Sequence, residues 1–294
     1  MLIEIVSFIG ASRRRAFLTL VALAMLNAVL FSALGTAERE TAGVSVSFLD
    51  VGQGDASLVE LGNDMQMLID GGPPNGRLLA AIGKALSPYD RTIELVVLTH
   101  PELDHYGGLI ELLRRYEVGA FIDAGVTKEV EAYGVLVKEL TVRGVRRITL
   151  RAGDTIHYGT HTFTVLSPDD TLTYAKEKND TSMVLAFESQ GARFLFTGDI
   201  GAEVERAVVK AFDKPFDVLK VPHHGSKFSS VAEFLSAVRP TLAAIGVGKN
   251  SYGHPTREAL ARLEAVGARV YRTDHSGTIT VQVENGVLRT FVER

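Results

Sequence analysis

The stretch that most constrains the fold is IELVVLTHPELDHYGG, residues 93–108. An apolar strand-forming run stops at His100, and helical spacing of apolar residues starts after Gly107. The spacing therefore predicts a tight loop at the end of a buried strand, carrying His100, Glu102, Asp104 and His105. No helix or strand period keeps side chains apart in such a loop, so all four can converge on one point. Imidazole nitrogen and carboxylate oxygen together suit zinc, manganese or iron.

The rest of the chain after Val44 supplies a framework for such a loop. VSVSFLDV, ASLVEL, MQMLID, IELVVLTH and AFIDAG read as strands, and HTFTVLSP, SMVLAFES and ARFLFTGD as three more. Helical spacing runs over Gly107–Tyr116, Lys128–Leu140, Ala202–Ala211 and Arg257–Ala265. Strands and helices thus form two similar blocks, one ending in LVVLTH and the other in LFTGD. Two mixed sheets with helices outside, a four-layer αββα sandwich of the α/β (α+β) class, account for this order better than one alternating parallel sheet. The 294 residues contain no cysteine, which excludes thiolate zinc sites, iron–sulfur clusters and thiol nucleophiles. A net charge of −4 argues against a protein that coats nucleic acid, but not against a nucleic-acid substrate met by metal ions.

The N-terminus reads separately. Arg13, Arg14 and Arg15 precede the uncharged run AFLTLVALAMLNAVLFSALG. As a helix these roughly 20 residues are long enough to cross a bilayer, and the arginines favour the cytoplasmic side. The expected division is a cytoplasmic segment 1–15, a signal anchor or signal peptide 16–35, a linker 36–43 and the sandwich domain 44–294. Small residues at Gly35 and Ala37 also allow cleavage after Ala37. Either way the domain is expected outside the cytoplasm, at the cell membrane or secreted.

The second block repeats the loop chemistry. ARFLFTGDI ends a strand at Gly198 and Asp199, a carboxylate able to bridge two ions. DVLKVPHHGS ends another at His223 and His224, with Gly225 allowing close approach and Ser226 beside it. SYGHPT places His254 before a proline and a helix. FLDVGQGDA is a glycine-flexed turn that brings Gln53 and Asp55 toward the same rim. Asp55 there is a further ligand, an orienting group or a turn stabiliser.

HPELDHYGG, TGD, HHGS and YGHP, preceded by FLDVGQGDA and LIDGG, resemble the metallo-β-lactamase superfamily. Within it they look most like the C-terminal hydrolase domain of ComEC/Rec2 DNA-uptake proteins, over about Val44 to Glu284. The resemblance implies an αββα fold, a centre of one or two divalent metal ions, and a role in degrading a DNA strand during competence. It implies metal ligation by His100, Glu102, Asp104, His105, Asp199 and one of His223 and His224, with Asp70 in support. Glu102 stands where the superfamily usually has histidine, which shifts preference from zinc toward manganese, with magnesium a third candidate. A further superfamily histidine has no counterpart; Asn179 and Ser182, in KNDTSMVL, match an N-x-x-S pattern in its place. His157 and His161 fall around a hairpin-like turn and read as surface residues.

Asp104 is then expected to hold the attacking water, while His254 and Lys249 face the substrate and hydrogen-bond a phosphoryl oxygen or the leaving group. Lys220, Lys227 and Lys249 modestly favour a polyanion. The reading is an exported phosphodiesterase or nuclease acting on DNA. Its alternatives are hydrolysis of a small ester, lactone or amide, or an inactive binding module. With one apolar segment here, a ComEC-type channel, if the chain works with one, is expected to be a separate chain.

Overall fold

The computed structural model describes residues 43–62, 65–174, 177–284 and 286–294, together with 23 and 25–27. The chain divides into two units, Met1–Ala42 and Gly43–Arg294. The expected cytoplasmic segment 1–15, the expected linker apart from Gly43 and most of the apolar run lie outside the described residues. Among the described residues no helix is long and apolar enough to cross a membrane.

The second unit contains two mixed sheets. The first has eight strands in the order β15-β14-β1-β2-β3-β4-β5-β6. These are β1 (Val44–Phe48), β2 (Ser57–Leu61), β3 (Gln66–Ile69), β4 (Thr92–Leu98), β5 (Glu117–Asp123), β6 (Arg146–Thr149), β14 (Ile279–Glu284) and β15 (Val287–Val292). The second has seven, in the order β13-β12-β11-β10-β9-β8-β7. These are β7 (Thr155–Tyr158), β8 (His161–Ser167), β9 (Val184–Ser189), β10 (Ala192–Phe196), β11 (Val218–Lys220), β12 (Leu242–Ile245) and β13 (Arg269–Arg272). Strands β3 to β6 run parallel, as do β10 to β13, while the remaining pairs are antiparallel.

Strand alternation assigns the layers. Met67 and Ile69 of β3 and Phe194 and Phe196 of β10 enter one core between the sheets, where Phe163 and Phe187 stack at 4.2 Å. Leu68 points the other way, into a core with Leu78 and Ile82 of helix α1 (Arg77–Ala85), Leu109 and Leu112 of α2 (Leu103–Arg115) and Leu136 of α3 (Glu131–Val142). Leu195 likewise joins Val204 of α4 (Ala202–Val208), Phe234 of α5 (Ala232–Val238) and Leu263 of α6 (Arg257–Ala265). Three apolar layers between four structural ones make the αββα sandwich expected from the strand and helix order.

Helix α2 differs from its expected bounds. It starts at Leu103, with Glu102 as its extended N-cap, so Asp104 and His105 stand in its first turn rather than in a loop. Gly107 and Gly108 sit inside the helix because neighbours leave no room for a side chain. A Cβ on Gly107 would lie 2.4 Å from Pro74 Cδ, and one on Gly108 would lie 2.1 Å from the Gly71 carbonyl oxygen. The glycines serve contact with the loop after β3, and their helix cost of about 1 kcal/mol each is offset by that packing. Helix α3 begins at Glu131 rather than Lys128, which leaves Lys128 on the preceding loop.

Candidate metal centre

The carboxyl ends of the parallel strands β3, β4, β10, β11 and β12 deliver Asp70, His100, Asp199, His223 with His224, and Gly246, the edge where α/β sheets expose their loops for chemistry. Asp55 arrives from the turn between β1 and β2. It packs so tightly on the end of β12 that a Cβ on Gly246 would lie 2.2 Å from Asp55 Oδ1. Four buried side chains, Asp55, His105, Asp199 and His224, bring one ligand atom each within 4.8 Å of one another.

The proton wiring of three histidines fixes their roles. His105 Nδ1 donates to Asp70 Oδ2 at 2.8 Å, and His224 Nδ1 donates to the Gly246 carbonyl at 2.8 Å. Thr99 Oγ1 donates to Asp70 Oδ2 at 2.7 Å and therefore accepts from His100 Nδ1 at 3.1 Å. Each imidazole thus has its Nδ1 proton committed and its Nε2 left over. All three Nε2 atoms are buried and form no hydrogen bond. His105 Nε2 and His224 Nε2 each lie 3.3 Å from Asp199 Oδ2, and His224 Nε2 also lies 3.3 Å from Asp104 Oδ2. Two ligands each about 2.1 Å from one tetrahedral ion stand about 3.4 Å apart, so this spacing fits a shared divalent cation. His100 stacks on His105 with ring centroids 4.2 Å apart.

The charges agree with this reading. Burial opposes charge on His105 and His224. The facing carboxylates more than offset it, Asp199 and Asp70 for His105 and Asp199 and Asp55 for His224, and both imidazoles are held well above their ordinary pKa. Burial likewise opposes ionisation of Asp199, yet His224 and His105 hold it well below the carboxylate range. For His100 the balance reverses: burial and the neighbouring His105 outweigh Asp199 and Asp104 and push it down to about 3, leaving a neutral imidazole. The carboxylates of this pocket hold positive charge in place, and Asp55, His105, Asp199 and His224 would hold a divalent ion there in place of the Nε2 protons.

Lys220 extends the network. Its ammonium is buried on β11, pairs with Asp55, stands 3.7 Å from Asp199 Oδ1 and donates to the Gly198 carbonyl at 3.1 Å. Burial lowers the pKa of Lys220, but Asp55 and Asp199 outweigh it and keep the group charged. Asp55 is therefore inside the ligand group by position, with its carboxylate already facing a cation.

The remaining expected site residues take outer places. Of the adjacent pair, His224 enters the group, whereas His223 turns to Asn179, whose Nδ2 donates to its Nε2 at 3.3 Å. Both have left-handed backbone, φ 51° and 52°, a strained geometry that aims the two rings differently. Ser182 Oγ accepts from the Asp199 amide at 3.2 Å and so positions that loop. Ser226 closes the His223 turn through its amide, at 2.9 Å from the His223 carbonyl. Gln53 accepts from the Gly248 amide at 3.3 Å, His254 has its ring 5.6 Å from that of His223, and Lys249 is exposed on the same loop. Glu102, expected as a ligand, is not among the four residues of this group, and its carboxylate pairs with Lys128 on the loop before α3. His157 and His161 form the expected hairpin outside the site, at the β7–β8 pair.

Residues 49–249 match the metallo-beta-lactamase superfamily. The chain belongs to this superfamily. That places it among hydrolases that generally depend on metal. It is 31% identical over 264 residues to ComE operon protein 3 of Bacillus subtilis (strain 168), covering 80% of this chain and 34% of that one. It is 29% identical over 246 residues to competence protein ComA of Neisseria gonorrhoeae, covering 82% and 33%. The chain thus spans about a third of the length of these relatives. Among solved structures, the metallo-beta-lactamase fold protein YhfI from Bacillus subtilis superposes with a TM-score of 0.57 at 10% identity, over 82% of this chain and all of that one. This likeness supports the fold.

Asp70 offers a test of the wiring. Asp70→Asn keeps the shape but weakens the acceptor that orients both His105 and Thr99, so affinity for manganese or zinc is expected to fall roughly 10–100-fold. Chelator-competition titration measures it; an unchanged affinity would show that Asp70 does not set the histidine orientation.

Proposed function

We propose that this chain is a manganese-dependent phosphodiesterase that cleaves DNA. The observation that carries it is the pair of unpartnered imidazole nitrogens, His105 Nε2 and His224 Nε2, facing Asp199, with Asp104 beside His224 and open to solvent, its side chain 38% exposed. Similarity to a protein named for competence supports DNA as the substrate. With Glu102 paired to Lys128, the preference for manganese rests on the oxygen donors Asp104 and Asp199.

A bound divalent ion lowers the pKa of water and neutralises phosphoryl oxygens as charge develops on them. Asp104 stands in the first turn of α2, beside His224 and at the open side, where its carboxylate can hold the attacking water and accept its proton. Asp199, kept anionic by His224, His105 and Lys220, fixes the ligand histidines in place. Burial and the neighbouring histidines hold His254 below its ordinary pKa, so at neutral pH it is an uncharged N–H donor suited to a phosphoryl oxygen. Lys249 supplies charge at the rim. The apolar run 16–35 anchors the protein, with the domain on the outer side of the membrane, or directs its secretion.

The reading is tested by incubating the protein with single-stranded and duplex oligonucleotides in manganese, in zinc and in excess chelator. Cleavage in manganese that chelator abolishes is expected. Hydrolysis of a lactone in zinc, with no cleavage of either DNA in manganese, would overturn the proposal.

A further inference from the structure

Exposed aromatic rings stand on the two loops that bring histidines to the centre. Phe228 is 69% exposed, four residues after the metal-facing His224, and Tyr252 is 74% exposed, two residues before His254. Aromatic rings normally bury most of their surface, so two left in water beside one site call for a partner. They are tied to the centre by geometry. The Tyr252 ring lies 5.8 Å from that of His254, His254 lies 5.6 Å from His223, and His223 lies 6.4 Å from His224. A row of rings thus leads from solvent to the ligand group. The Phe228 backbone is tied to the segment after Asp199, where its carbonyl accepts from the Ala202 amide at 3.2 Å. The Lys227 ammonium sits 5.0 Å from the Phe228 ring centroid, joining a positive charge to a flat apolar face.

A flat face beside an ammonium matches a nucleotide, which carries a flat base beside a phosphate. In a duplex the base faces are already stacked on one another, whereas an unpaired strand offers them freely. Resting on the reading of the chain as a phosphodiesterase acting on DNA, we infer that Phe228 and Tyr252 form a nucleobase-stacking subsite that seats an unpaired strand across the metal centre. Lys227 and His254 then meet the phosphates between the stacked bases.

The test uses the full chain loaded with manganese and two probes, oligo(dT) of 12 residues and an abasic strand with the same number of phosphates. Phe228→Ala and Tyr252→Ala are each expected to raise KM for oligo(dT) about tenfold while leaving kcat and cleavage of the abasic strand unchanged. Phe228→Trp and Tyr252→Phe, which keep a stacking face, are expected to restore KM. If both alanine variants keep the wild-type KM for oligo(dT), the subsite is refuted and the nuclease reading stands. If wild-type protein cleaves neither probe, both fall.

Discussion

Asp199→Asn is expected to leave the domain folded and to remove hydrolysis almost entirely. Asp199 meets His105, His224 and Lys220 together, at 3.3, 3.3 and 3.7 Å, and its Oδ2 faces the free Nε2 of both histidines. An amide of the same shape keeps the packing but gives up the negative charge that holds a cation there. Metal assistance is worth several kcal/mol of transition-state stabilisation, so the loss is roughly 10³-fold or more. Initial rates measure it, with circular dichroism as the check on folding. A variant with full metal content and near wild-type rates would place the chemistry elsewhere.

The second large effect falls on stability. Lys220→Met leaves Asp55 buried at 4% exposure without its ammonium partner. Breaking one side of a buried pair typically costs about 3–5 kcal/mol, because the surviving charge stays desolvated. Denaturant melts of the chelator-treated protein are expected to show a loss of that size. The double variant Asp55→Asn, Lys220→Met, which removes both charges, is expected to recover most of it. If the single variant is as stable as wild type, Lys220 does not neutralise the site.

The strand-end motifs announced most of this centre because apolar strands and polar loops differ sharply in composition: His100, Asp199 and the His223–His224 pair could be located from the runs that precede them. Which of the two histidines turns inward depends on a left-handed backbone and on the Gly246 carbonyl 22 residues away, neither of which a local pattern encodes. Glu102 escaped for a similar reason, since its partner Lys128 is 26 residues distant. Helix α2 starts four residues before its expected bound because Gly107 and Gly108, poor helix formers in isolation, lie inside it to make contact with Pro74 and Gly71. By sequence Lys220 reads as one of three basic residues that modestly favour a polyanion. The signal for its burial was present: it stands between Leu219 and Val221 in an apolar strand, where a charge implies a buried counter-charge.

The centre is defined by the identity of its ligand atoms. Elemental analysis of wild-type protein, His224→Ala and His223→Ala, each dialysed against manganese, measures this without reference to any substrate. At least one ion per wild-type chain is expected, with near-complete loss in His224→Ala and retention in His223→Ala, whose ring bonds to Asn179 instead. Equal loss in the two variants, or no ion bound by wild type, would contradict the centre described here.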